Sequence, residues 1–205
     1  MSNLVRVTKP KSLVISSHDD IVRYCKRNHI SLSDFNRPVI ISSTVTNCDR
    51  MFERCTSFNQ PVEIPKSVVS CKKMFYMCKA YNQSTEIPDK VTTCHRMFGA
   101  CSDFNQKVVI PDNVTDCSSM FSGCTSLNKS VKISKKARDL TAMFYNCIKF
   151  NQSVNIPYGV VSVYRMFVNC TAFKKHIYIP ETVVDVNCIG VIDKHVNTNC
   201  INPCC

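Results

Sequence analysis

The dipeptide Met-Phe recurs at Met51, Met74, Met97, Met120, Met143 and Met166, and every step between copies is 23 residues. A fixed period in the range of about 20–50 residues, kept without insertion, restricts a chain to stacked coils, because one unit cannot bury its apolar face alone. The first copy reads Cys48-Asp49-Arg50-Met51-Phe52-Glu53-Arg54-Cys55-Thr56-Ser57-Phe58-Asn59-Gln60, and later copies keep its apolar letters while the others change.

Read down the copies, one cysteine column is unbroken: Cys55, Cys78, Cys101, Cys124, Cys147 and Cys170. A second runs Cys25, Cys48, Cys71, Cys94 and Cys117, then changes to Leu140 and Val163. A position that accepts Cys, Leu or Val is a buried apolar one, where a free thiol packs as a small hydrophobe. The 15 cysteines therefore read mainly as core thiols, not as a secreted disulfide scaffold.

Phe58, Tyr81, Phe104, Leu127, Phe150 and Phe173 form a large apolar column. Behind it stand Asn59, Asn82, Asn105, Asn128 and Asn151, an asparagine ladder expected to be buried and to bond turn backbone, with Lys174 as its break. Val62 and Ile64 flank Glu63 in an in-out-in alternation that recurs at Val108/Ile110, Val131/Ile133, Val154/Ile156 and Ile177/Ile179. Proline ends these runs at 65, 88, 111, 157 and 180, with Ser134 the exception. The Cys-x-x-Met-Phe-x-x-Cys segment spaces its apolar groups at i, i+3, i+4 and i+7, which predicts a short turn of helix or 3-10. The expected fold is a repeat solenoid of about six to seven coils plus caps. It has short parallel β-strands on one face and short helical or 3-10 turns on the other. Residues 1–44 read as an N-terminal cap with a degenerate first repeat, 45–182 as six repeats, and 183–205 as a C-terminal cap and Cys-rich tail.

Two outward columns are candidates for recognition. The strand position reads Glu63, Glu86, Val109, Lys132, Asn155 and Tyr178, variable in chemistry while its neighbours stay fixed. The position before Met reads Arg50, Lys73, Arg96, Ser119, Ala142 and Arg165, a partial basic stripe with no aromatic residue interleaved. Outside the columns, Cys188, Cys200, Cys204 and Cys205 form a candidate tail disulfide or inter-subunit bridge. With His195 they offer zinc ligand types, but no paired CxxC spacing supports a metal site. His18, His29, His95, His176 and His195 fall in different or non-repeating slots and form no nucleophile or metal motif, so neither enzyme activity nor a cofactor is expected.

The net charge of +11 suits either solubility or an anionic partner. No apolar stretch long enough for a membrane span occurs, and residues 1–11 lack a secretory core. An intracellular or virion setting is expected ahead of a secreted one.

The unit MFxxCxxFNQxVxIPxxVxxC resembles the BspA-like leucine-rich repeats, and the FNQPVEIP run from Phe58 to Pro65 is similar to the FNIP repeats. The resemblance covers roughly residues 19–185 and implies a leucine-rich-repeat-like fold with binding or structural roles and no catalysis. The leading expectation is a non-enzymatic protein-interaction or structural solenoid, plausible as part of a larger assembly such as a viral or phage particle. A receptor- or glycan-binding adhesin module is the alternative. Nucleic-acid binding through the basic stripe comes third.

Overall fold

The computed structural model describes residues 12–190 and the backbone of Val196–Asn197. Strand β1 (Leu13–Ile15) is followed by helix α1 (His18–Arg27), a 3-10 turn at Leu32–Asp34 and strand β2 (Val39–Ile41). Helix α1 starts where the Asp20 carboxylate accepts the N–H groups of Ser16 and Ser17 at 2.7 and 3.0 Å, filling donors that a helix start leaves open. Its Ile21 and Cys25 are buried against the first coil, and Tyr24 meets Phe35 edge-on at 5.9 Å. The His18 ring covers an end of the stack, with Nδ1 3.2 Å from the carbonyl of Met51. In later copies that carbonyl accepts from the preceding coil, as Met74 does from Phe52.

From residue 48 onward the coils are joined by a backbone ladder. Cys48, Arg50, Phe52 and Arg54 donate their N–H groups to the carbonyls of Ser70, Lys72, Met74 and Tyr76 in the next coil, at 2.8–2.9 Å. The intervening Met51, Glu53 and Cys55 donate to the residue three back. Every backbone donor in this segment is thus used, half within the coil and half between coils. The alternation continues to Val163, Arg165 and Phe167, which donate to Asp185, Asn187 and Ile189. Alongside runs a chain of parallel bridges, Asn47 to Ser70 to Thr93 to Asp116 to Asp139 to Ser162 to Asp185.

This arrangement corrects the expected turn of helix or 3-10 in the repeats. A helix would send each N–H to the carbonyl four residues back, whereas here alternate donors leave the coil. The chain also turns left-handed twice per copy, at Arg50 (φ 57°) and Arg54 (φ 65°) and at their counterparts through Arg165 and Asn169. The segments are tandem turns. Among the described residues, helix and 3-10 structure occur only within residues 18–34. At the last rung Ile189 fills the Met position, and Gly190 (φ 87°) follows, where a Cβ would lie 2.3 Å from the Val168 nitrogen.

The strand face also differs from the expected continuous parallel sheet. It is three separate two-stranded parallel pairs: β1 with β2, β3 (Val108–Val109) with β4 (Val131–Lys132), and β5 (Ile177–Tyr178) with β6 (Val196–Asn197). The physical reason lies in the core. Phe52, Phe75, Phe98, Phe121, Phe144 and Phe167 stack beside the turn ladder at 5.3–5.7 Å. Farther along the coil, Phe58, Tyr81 and Phe104 stack at 6.0 and 6.3 Å. Parallel strands need about 4.8 Å, so the coils splay toward the Val-x-Ile face and most rungs there fall out of pairing range. Proline at the end of most runs removes a further donor.

The asparagine ladder is present but only partly buried, another departure from expectation. Each Oδ1 accepts the backbone N–H of its counterpart one coil on: Asn36 from Asn59, Asn59 from Asn82, Asn82 from Asn105, Asn105 from Asn128 and Asn128 from Asn151, at 2.9–3.0 Å. Lys174 ends the series, supplying its N–H to Asn151 at 2.9 Å. The final position needs only a backbone donor, which explains the break.

Candidate functional site

The Val-x-Ile alternation carries Glu63, Glu86, Val109, Lys132, Asn155 and Tyr178 outward, and all six are exposed. The column is longer than the repeat alone reveals. Val14 and Ile40, paired in β1 and β2, extend it with side chains 61% and 54% exposed. Where the coils splay, clefts open between rungs. One of about 750 Å³ lies between β2 and residues 61–67, and one of about 590 Å³ between residues 62–66 and 84–90. A third, of about 550 Å³, lies between residues 131–135 and 153–158. Glu63 and Glu86 line the first two, Lys132 and Asn155 the third.

The basic stripe sits on the opposite, tandem-turn side. Arg50, Lys73, Arg96 and Arg165 each occupy the first left-handed position of their coil, with φ of 52–57°. The tertiary structure adds aromatic neighbours that sequence spacing did not reveal. Lys73 Nζ lies 5.7 Å from the Tyr76 ring centre and the Arg165 guanidinium 5.0 Å from that of Tyr164. Arg50 Nε is 3.7 Å from Glu53 Oε2, a solvent-exposed pair of small energetic weight.

The two cysteine columns are chemically distinct, which composition could not show. In the unbroken column the thiols donate across coils: Cys78 Sγ to the Phe52 carbonyl, Cys101 to Phe75, Cys124 to Phe98, Cys147 to Phe121 and Cys170 to Phe144, at 2.9–3.1 Å. In the column that changes to Leu140 and Val163, no such bond is made among the described residues. Burial pushes all these thiols up, Cys48, Cys55, Cys117 and Cys170 to about 12, so they stay protonated and unreactive at neutral pH. Cys188 is disulfide-bonded. The eleven other described cysteines are free. Cys200, Cys204, Cys205 and His195 lie outside the described residues.

One polar cluster has the residue types of a hydrolytic triad. His95 Nδ1 is 2.7 Å from Ser118 Oγ, which donates to Asp116 Oδ1 at 2.5 Å, while Thr93 Oγ1 donates to Asp116 Oδ2 at 3.2 Å. The order is wrong for nucleophilic catalysis. The serine proton is committed to the carboxylate, so His95 is the donor to Ser118 and cannot act as its base. The cluster braces adjacent coils. Tyr81 and Thr85 form a second inward polar pair, hydroxyl to hydroxyl at 2.7 Å, where other copies have Phe and Val or Ile. Among the described residues no group of three or more His, Cys, Asp or Glu is placed to hold a metal ion, and no helix is long and apolar enough to cross a membrane.

A family model described as "Mycoplasma protein of unknown function, DUF285" matches residues 30–109 and 87–179. The chain belongs to this family. Two solved structures share the fold of this DUF285 protein. A leucine-rich repeat protein of T. pallidum has a TM-score of 0.54 and 22% identity, over 66% of this chain and 64% of its own. A leucine-rich repeat protein from Bacteroides ovatus has a TM-score of 0.51 and 20% identity, over 73% of this chain and 46% of its own. The DUF285 chain therefore spans under two thirds of either structure's length. No curated protein matches it. The resemblance to BspA-like leucine-rich repeats holds, and the fold is leucine-rich-repeat-like.

Proposed function

We propose that this DUF285 protein is a non-enzymatic interaction solenoid that engages a protein partner along the column Glu63, Glu86, Val109, Lys132, Asn155 and Tyr178. The observation that carries this reading is the coincidence of the most variable outward column with the clefts between its rungs. The core repeats, so it cannot distinguish one stretch of surface from another. These letters can, and they pass from apolar through acidic to basic and aromatic. Repeat proteins bind through such stacked faces. Leucine-rich-repeat neighbours support an interaction or structural role of this kind. Placement in a viral or phage particle rests on the sequence resemblance alone.

The test is affinity capture with the purified full chain, with Glu63→Lys/Glu86→Lys and Lys132→Glu/Tyr178→Ala compared against a turn-side control, Lys79→Glu. A partner held by the wild type and the control but released by the sheet-face variants is the expected result. Release by the control alone would overturn the reading. A second reading, glycan binding, draws on Tyr158 and Tyr178, which are 72% and 67% exposed on the coil of Asn155 and the next. Retention on a glycan array that is lost on changing Asn155 and Tyr178 would favour it.

A further inference from the structure

We infer that the tandem-turn face of the first three repeats is a docking track for the phosphate backbone of a single-stranded nucleic acid, separate from the proposed sheet-face contact. Arg50, Lys73 and Arg96 occupy one position in three successive coils. The adjoining rings of Phe52, Phe75 and Phe98 stack at 5.3 and 5.5 Å, so the three cations rise along one line at near-even spacing. Arg54 and Lys72, both exposed, flank them. The acids nearby are engaged: Asp49 accepts the Ser70 hydroxyl at 2.5 Å and the Lys72 N–H at 2.8 Å, and Glu53 faces Arg50. His95 lies within this field. Burial first holds it below its ordinary value, Asp116 opposes, and Arg96, Lys73 and Lys72 lower it further, the sign a positive surface imposes.

Backbone conformation supplies an independent argument. Each cation of the line sits at positive φ, where a side chain other than Gly or Asn is strained. At the second left-handed position of the repeat the chain relieves this strain with Gly123, Asn146 and Asn169. At the first it never does, carrying Arg50, Lys73, Arg96, Ser119, Ala142 and Arg165. Folding alone favours Gly or Asn at both positions equally. The cations are therefore held against a local conformational preference.

A line of cations at one per coil suits a polymer with one anion per monomer. Aromatic rings beside the cations favour nucleic acid over other polyanions, because stacking and backbone neutralisation together make up single-strand binding. Tyr76 is seated over Gly99, where a Cβ would meet its Cδ2 at 3.0 Å, so the missing side chain makes room for the ring.

The test is fluorescence anisotropy of the full chain with a labelled mixed-pyrimidine single strand, between about 50 and 200 mM salt. Three phosphate contacts give a log–log salt slope of about −2, at about −0.7 each. Arg50→Gly, Lys73→Gly and Arg96→Gly should each weaken binding about fivefold and flatten the slope by about 0.7. Their unfolding temperatures should be unchanged or raised, because glycine relieves the left-handed backbone, so lost binding is not lost folding. Lys132→Ala on the sheet face should bind as the wild type does. The inference is overturned by no saturable binding at the lowest salt, or by glycine variants that bind normally. Tighter binding of a duplex of the same sequence, or retention of heparin without retention of the oligonucleotide, would overturn it equally.

Discussion

At Cys101 the thiol donates to the Phe75 carbonyl, while at Cys94 the thiol is equally buried with no acceptor, and substitution should separate the two. Cys101→Ser keeps a donor for that carbonyl. Cys94→Ser buries a hydroxyl with nothing to bond and should cost about 1–3 kcal/mol more in a urea unfolding series. Valine should reverse the order, being tolerated at position 94, as Val163 is in its own coil, and poor at 101. Equal losses at both sites would remove the thiol bond as the reason for the unbroken column. Tyr81 and Thr85 afford a matching cycle. Thr85→Val strands the Tyr81 hydroxyl and should cost about 1–3 kcal/mol, whereas Tyr81→Phe with Thr85→Val should recover most of it, because the buried polar pair goes together. A strictly additive double variant would show that the pair is uncoupled.

Among the elements, the asparagine ladder and the turn ladder pin the coils at different points. Asn82 Oδ1 accepts both the Asn105 N–H and the Gln106 side chain at 2.9 Å, while nothing on the described chain depends on the Lys174 side chain. Asn82→Ala should therefore lower the unfolding midpoint, by about 1–2 kcal/mol given its partial exposure, and Lys174→Ala should leave it unchanged. Asn82→Asp retains the acceptor and should lie near the wild type. The helix expected in each repeat was illegible for a stated reason: the spacing i, i+3, i+4, i+7 places apolar groups on one side of a helix and, equally, on the inside of tandem turns. Hydrophobic periodicity reports which groups face inward and is silent on where backbone donors go.

For the whole molecule, buried thiols and one histidine set opposite pH limits. The thiols are raised from about 9, to about 12 at Cys48, Cys55, Cys117 and Cys170, so their contribution is fully present below pH 9 and is lost as pH rises through the folded values. His95 is lowered from 6.5, so its contribution is present above that pH and falls away as pH drops below it. Thermal unfolding across the pH range should show a plateau from about 6.5 to 9, with His95→Gln removing part of the acid-side decline. A curve flat to pH 11 would contradict the thiol assignment. In native buffer the eleven free described cysteines should resist a thiol reagent that labels them on unfolding.

The sequence by itself determined the 23-residue coil, its inward letters, the asparagine series and the family resemblance, because each is written once per copy and repetition averages away local ambiguity. It also marked the two outward columns. Only the tertiary structure decided the hydrogen bonding that joins the coils, since a donor's choice between its own turn and the next coil depends on a neighbour 23 residues away. The splay that opens the clefts follows from ring spacing inside the core. The tyrosines beside Lys73 and Arg165, and Val14 and Ile40 above Glu63, are brought to their columns by stacking and not by the repeat.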